Sequence, residues 1–386
     1  MIASITSVNM SIGRPQRVST RVAFFIAGFV MAAWAPMVPL AKARAGLDDG
    51  TLGLLLLGLG GGSILAMPFA GYLVAHRGCR WTIVVATVLL CVLLPLLALA
   101  PGALTLGITL ALFGATMGML DCAMNIQAVI VEKAGDKAVM SGFHGMYSVG
   151  GIAGAAGMTA LLAVGLAPFS ATLVVVTLVL AGLWYAGKAL LPQGTERDGP
   201  LFAVPRGIVL FLGVLCFIVF LTEGAVLDWS AVFLVSTRDM DPALAGLGYA
   251  AFALTMTIGR LTGDAWVNRL GGTRVVLFGG ASAAAGIAVA VLVPGWAAAL
   301  VGFALVGAGC SNIVPVLFSA VGRQQRMPQS AAVPAMVSLG YAGILLGPAT
   351  IGFLAHWANL SWALGSLIVL LLFVSGSARF LNRARA

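Results

Sequence analysis

Charge is what this chain has least of: Asp, Glu, Lys and Arg make up 9% of its 386 residues, against about 25% in soluble globular proteins. That scarcity excludes a water-facing surface over most of the chain. Cysteine is also sparse. The five, Cys79, Cys91, Cys122, Cys216 and Cys310, lack C-x-x-C spacing and read as small apolar fillers, not as a disulfide or metal framework. No H-E-x-x-H, no G-x-S-x-G and no metal-spaced Cys/His set occurs. The chain is therefore read as a non-enzyme that needs no metal and no cofactor. The net charge of +9 does not point to nucleic acid, because the placement of the cations follows topology instead.

What fills the chain is apolar: 61% of its residues are hydrophobic. About 20 such residues in a row span a bilayer core, and twelve runs qualify, beginning near positions 22, 51, 81, 103, 141, 169, 207, 245, 275, 297, 331 and 361. They leave only short connections, with no room for a soluble catalytic or nucleic-acid-binding domain. The run 22–41 is longer than a signal-peptide core and pairs with the next one, so it reads as the first span. Arg77, Arg80, Lys133, Lys137, Lys188, Arg206, Arg269, Arg274, Arg323 and Arg326 fall in alternate loops, whereas Lys42, Arg44 and Arg238 occupy the opposite ones. By the positive-inside rule both termini are expected to be cytoplasmic. The expectation is a multi-pass protein of the cell inner membrane, a monomer in the lipid bilayer.

The apolar pattern breaks at "KALLPQGTERDGPLFAVPR", residues 188–206, which reads as a cytoplasmic linker between an N-terminal bundle, 1–187, and a C-terminal bundle, 207–386. The two sides repeat weakly. Trp34 matches Trp229, Gly78 matches Gly271, and "MYSVGG" at 146–151 matches "MVSLGY" at 336–341, at offsets of 195, 193 and 190 residues. The fold class expected is an all-α membrane protein with twelve transmembrane helices in two pseudo-symmetric six-helix bundles, with a site near the midplane at their interface. Glycine, 50 residues, lets helices approach closely. Pro36, Pro39, Pro68 and Pro315 are expected to kink or loosen their spans.

An acid inside a membrane costs about 2.5 to 3.5 kcal/mol and is a functional candidate by default. Asp121 lies in "GMLDCAMN" with Asn125 one turn later on the same helix face. The pair is either a proton-carrying acid beside a solute-binding amide or a packing hydrogen bond between helices. In "FLTEGAVLDWSAVFL", Glu223 stands about 25 Å along the helix from Arg206, just past the midplane, and Asp228 approaches the outer interface. They are roughly 140° apart around the axis and cannot share a face. Glu223 is the cavity candidate; Asp228 is either an outer gate or a helix-to-helix hydrogen bond. Arg260 and Asp264, one turn apart, read mainly as an ion pair that holds or releases the inner face, with direct solute contact as the lesser reading. His144, near Tyr147 and Ser148, is either a structural hydrogen-bonder or a proton relay. Trp34 and Trp229 are either interface belts or a pair that caps a solute, and Asn312 offers a polar contact beside Pro315.

Together these residues resemble the Major Facilitator Superfamily over essentially the whole chain. "GYLVAHRGCR" at 71–80 and "GDAWVNRLGGTR" at 263–274 are similar to its inner-loop signature, with Ala75 and Asn268 where the acid is expected. That likeness implies gating roles for Arg77, Arg260 and Asp264. "GMLDCAMN" is similar to the fourth span of the fucose–proton symporter branch, where a glutamate in the place of Asp121 takes part in proton coupling and an asparagine matches Asn125. "SNIVPVLFS" at 311–319 resembles that branch's tenth span, whereas the first span here lacks the branch's further acid. The chain also resembles bacterial inner-membrane members of unassigned substrate. The likeness implies two domains rocking about a central site.

The function expected is secondary active transport of a small polar solute, a sugar being one candidate class, coupled to protons by alternating access. Asp121 and Glu223 would carry the proton, and Asn125, His144, Tyr147, Asn312, Trp34 and Asp228 would meet the solute. The alternative is proton-driven efflux of amphipathic compounds or drugs.

Overall fold

The computed structural model describes residues 12–194 and 204–385; residues 195–203 of the expected linker lie outside that description. The described residues are helical apart from short connections. In order the helices are α1 (Arg14–Trp34), α2 (Val38–Ala45), α3 (Asp49–Leu99), α4 (Ala103–Lys133), α5 (Met140–Ala163), α6 (Pro168–Gly187) and α7 (Ile208–Arg238). They continue with α8 (Leu247–Leu270), α9 (Gly272–Leu292), α10 (Trp296–Cys310), α11 (Ile313–Arg323), α12 (Gln329–Trp357) and α13 (Leu360–Ser377). Eleven helical stretches among the described residues are long and apolar enough to cross a membrane.

The difference from the twelve expected runs lies in α3. Its 51 residues would reach about 75 Å if straight, more than twice the roughly 30 Å core. Gly78 interrupts it with φ 85° and ψ 165°, a conformation that residues with a Cβ rarely adopt. This break falls between the runs that begin near 51 and 81. Two other spans are interrupted where the prolines predict: α1 gives way to α2 through a 3₁₀ turn at Ala35–Met37 that contains Pro36. Likewise α10 gives way to α11 at Ser311 and Asn312, just ahead of Pro315.

α1 packs on α5, α3 on α4, α7 on α12, and α10 on α8 and α9; between the first and second halves of the chain, α3 meets α12 and α5 meets α8. Glycines set the closest approaches. A Cβ at Gly150 or Gly154 would overlap the carbonyl oxygen of Phe25 or Phe29, so α1 and α5 touch backbone to backbone.

Two of the few cations opposite the basic loops have a structural use. Arg44 donates from Nε to Ala100 O at 2.9 Å and from Nη2 to Leu97 O at 2.7 Å. Arg238 donates from Nη2 to Ala290 O at 3.0 Å and Val291 O at 2.6 Å. Each guanidinium satisfies the last carbonyls of a helix and meets the negative end of its dipole. The two arginines are 194 residues apart, in register with the sequence repeat.

The start of the expected linker is docked. Arg80 donates from Nε to Leu190 O at 2.9 Å and from Nη2 to Lys188 O, and its backbone N–H bonds Leu191 O at 2.7 Å. Leu191 N–H in turn donates to Gln127 Oε1 at 3.1 Å, and Gln127 Nε2 donates to Thr20 Oγ1 at 2.9 Å. Gln127 is fully buried, so Gln127→Leu strands the Leu191 amide at a cost of about 1–3 kcal/mol. A lower melting temperature in detergent is the expected result.

Candidate functional site

Two cavities meet in the centre of the molecule. The larger, about 530 Å³, is bounded by Met31, Ala35, Ile152, Leu227, Tyr249 and Thr257, and the smaller, about 280 Å³, by Phe24, Met124, Phe220, Phe318, Val337 and Tyr341. They share Met31, Tyr147, Glu223, Arg260 and Ile344. The larger cavity lies toward the C-terminal end of α1 and the N-terminal end of α8, and the exposed Ile152 and Leu227 stand on its rim.

Asp121, Asn125 and His144 all line the smaller cavity. Asn125 Nδ2 donates to Asp121 O at 2.9 Å and to its Oδ1 at 3.3 Å, as the one-turn spacing requires. Among the described residues no cation pairs with Asp121. His144 sits between the rings of Phe24 and Phe318, with centroids 5.2 and 5.3 Å away.

Glu223 and Arg260 stand where the cavities join. Arg260 Nη2 lies 3.5 Å from Glu223 Oε1, an ion-pair contact longer than a good hydrogen bond, and Arg260 Nη1 donates to Ser148 Oγ at 3.1 Å. This corrects the expected Arg260–Asp264 pair: the arginine reaches a different helix. Four buried side-chain atoms on these walls have no hydrogen-bond partner: Asn125 Oδ1, His144 Nε2, Glu223 Oε1 and Arg260 Nε. Orphaned buried polar atoms are costly, and their convergence on one cavity marks it as the place where a bound molecule or water supplies the missing bonds.

Asp264 works at the opposite end of the cleft. Its Oδ1 accepts from Gly142 N–H at 3.0 Å, at the start of α5. Asn268, one turn on, accepts from Ala138 N–H and donates to Ala138 O, both at 2.9 Å. On the same α5 terminus, Glu132 Oε2 accepts from Val139 and Met140 N–H at 2.8 and 2.9 Å. The bonds of Asp264 and Asn268 tie α8 to the start of α5, and those of Glu132 tie α4 to it. Asp264→Ala leaves the Gly142 amide without its charged acceptor, which is worth about 1.5–3 kcal/mol, and is expected to open this end roughly ten- to a hundredfold more often. Val129, buried at 1% exposure and close to Gly322 of α11, reports it: Val129→Cys should then react faster with a maleimide. All five native cysteines are buried, so background labelling is low.

Four expected site residues lie elsewhere. Trp34 is buried at 3% exposure with its Nε1 unpartnered, so it is neither an interface belt nor a cavity wall; Ala35 beside it takes that place. Its counterpart Trp229 donates to Pro348 O at 3.0 Å. Asn312 donates to Gly259 O at 3.0 Å and Ser311 Oγ at 2.9 Å, bracing the α10–α11 break against α8. Asp228 is exposed on α7 and lines neither cavity. Arg77 is exposed and lies over the Trp81 ring, 5.4 Å from its centroid. Asn359 of the sequence Asn-Leu-Ser caps α13 by accepting from Trp362 N–H at 2.9 Å.

Sequence reasoning missed Tyr341, Ser148 as the partner of Arg260, Glu132, and the aromatic walls Phe24, Phe220 and Phe318. Tyr341 carried a usable signal, since it ends the repeated "MVSLGY" segment. The phenylalanines carried none, being indistinguishable from lipid-facing ones.

The model for the Major Facilitator Superfamily matches residues 22–321. The chain is similar to an uncharacterised MFS-type transporter of Yersinia pestis, 55% identical over 96% of this chain and 97% of that protein. It is similar also to the membrane protein MosC of Rhizobium meliloti, 32% identical over 94% of this chain and 89% of that one. Among solved structures, the fucose:proton symporter FucP of E. coli shares 14% identity and superposes with a TM-score of 0.78, over 95% of this chain and 97% of that chain. A structure of FucP in the outward conformation gives the same TM-score at 16% identity, over 95% and 99%. At that identity the likeness speaks for the fold. A family match over most of the sequence, a close full-length relative and a shared fold place this chain in one family: it belongs to the Major Facilitator Superfamily, a membrane protein that works as a secondary transporter of a small solute.

Proposed function

We propose that the protein is a proton-coupled transporter of a small polar solute, built as two six-helix bundles of twelve spans that rock about the central cleft. The break in α3 at Gly78 supplies the twelfth span, and the matched arginine caps at Arg44 and Arg238 support the repeat. The single observation that carries the reading is the convergence of Asp121 and four buried polar atoms without a hydrogen bond on one cavity. Asp121 holds the proton while Asn125, His144 and Tyr147 bind the solute. Glu223 and Arg260 separate the two cavities and respond to what fills them. With both termini cytoplasmic, the larger cavity opens outward and the bonds of Asp264 and Asn268 form the closed inner gate. A thermal-shift screen of purified protein against sugars and related metabolites at two pH values tests this. A polar hit whose stabilisation depends on pH supports the reading, and binding unaffected by pH opposes it.

A second reading has its own observation. Phe24, Phe220, Phe318, Met31, Met124 and Val337 make most of the smaller cavity's wall apolar, which suits an amphipathic compound carried outward against protons. Dye or drug accumulation on deletion, without an uptake defect, would favour it.

A further inference from the structure

We propose that a groove at the start of α7 binds one anionic phospholipid. The groove, about 470 Å³, is lined by Gly207, Ile208, Phe211, Arg326 and Phe380. It lies at the end of a spanning helix, level with lipid headgroups, and apart from the central cleft.

Its chemistry is divided. The floor is apolar: the rings of Phe211 and Phe380 meet edge to face with centroids 6.3 Å apart. The rim is cationic. Arg326 is exposed, and no acid among the described residues pairs with it. A Cβ on Gly207 would stand 3.7 Å from Arg326 Nη1, so the guanidinium lies over the first turn of α7. Val209 N–H is taken by Arg206 O at 3.2 Å; the other first-turn amides of that helix have no intrahelical acceptors and carry the positive end of its dipole. Arg379 adds a third positive element, its Cζ 4.8 Å from the Phe380 centroid. Among the described residues no carboxylate lines the groove.

A soluble anion would use the arginine but has no need of the phenylalanine floor, and a neutral lipid would use the floor but not the cations. An anionic phospholipid uses both, with its phosphate at Arg326 and the α7 amides and an acyl chain along Ile208 and Phe211. Basic pockets at helix ends take such headgroups, and each nearby arginine contributes about 1 kcal/mol to the attraction.

Native mass spectrometry of the full chain in neutral detergent, titrated with palmitoyl-oleoyl phosphatidylglycerol, tests the assignment. One lipid should bind with an affinity that Arg326→Gln lowers about fivefold, and Phe380→Ala should lower it as well. Arg269→Gln, an exposed arginine at the end of α8, should leave it unchanged. Both arginines are exposed, and matching melting temperatures would establish that the variants fold. Equal phosphatidylglycerol binding by wild type and Arg326→Gln would overturn the proposal. So would equal affinity for palmitoyl-oleoyl phosphatidylcholine, or for glycerol 1-phosphate, which would point to a soluble anion instead.

Discussion

Replacing Asp121 by asparagine is expected to abolish uphill solute accumulation in proteoliposomes while leaving downhill counterflow intact. The reason lies in what surrounds the carboxyl group. Asp121 reaches the smaller cavity, accepts one side-chain hydrogen bond, from Asn125 at 3.3 Å, and has no cationic partner among the described residues. Arg260 is engaged by Glu223 and Ser148. Such a group can take up or release a proton as the cleft changes sides. The asparagine variant keeps the volume and an acceptor for Asn125, so it should fold and bind. With an imposed gradient of two pH units, one proton per solute supports a concentration ratio of about 100-fold. Wild-type protein should approach that ratio when the outside is the acidic side. The variant should stop near unity at every external pH, and accumulation equal to wild type would remove Asp121 from the coupling.

The second large effect is on stability. Arg260→Met leaves Glu223 facing an unpaired site, where breaking a buried ion pair typically costs about 3–5 kcal/mol. The pair is partly open to the cleft, with side-chain exposures of 10% for Arg260 and 15% for Glu223, so the lower end of that range is expected. The double variant Arg260→Met/Glu223→Gln removes the uncompensated acid and should recover most of the loss in melting temperature. Equal melting temperatures for the single and double variants would mean that the two side chains are energetically independent. The pair then could not act as the element that senses the cavity.

The helices and the acid–amide pair were legible because their signals are local. Apolar runs of spanning length need no tertiary information, and Asp121 with Asn125 follows from helical periodicity. The failures are those of pairing across helices. Arg260 has two acids within reach of a sequence argument, Asp264 one turn away and Glu223 on another span, and spacing favours the wrong one. Only packing shows that Asp264 is occupied at the start of α5. Trp34 misled for a related reason: tryptophan favours interfaces, but here α1 turns it into the protein while Ala35 faces the cavity. Eleven helical stretches stand against twelve apolar runs because at Gly78 a backbone break too tight to form a separate loop joins two of the runs in one continuous element. Residues 188–194 read as free linker because their polar and Pro/Gly content is typical of one, whereas the contacts that dock them, Arg80 and Gln127, lie more than sixty residues away in sequence.

Infrared difference spectroscopy of the purified protein across a pH titration reads the Asp121 carboxyl group itself and needs no identified solute. Proton carriage by Asp121 predicts a protonated-carboxyl carbonyl band that appears on acidification in wild type and is missing from Asp121→Asn. Identical carboxyl bands in the two proteins would contradict it.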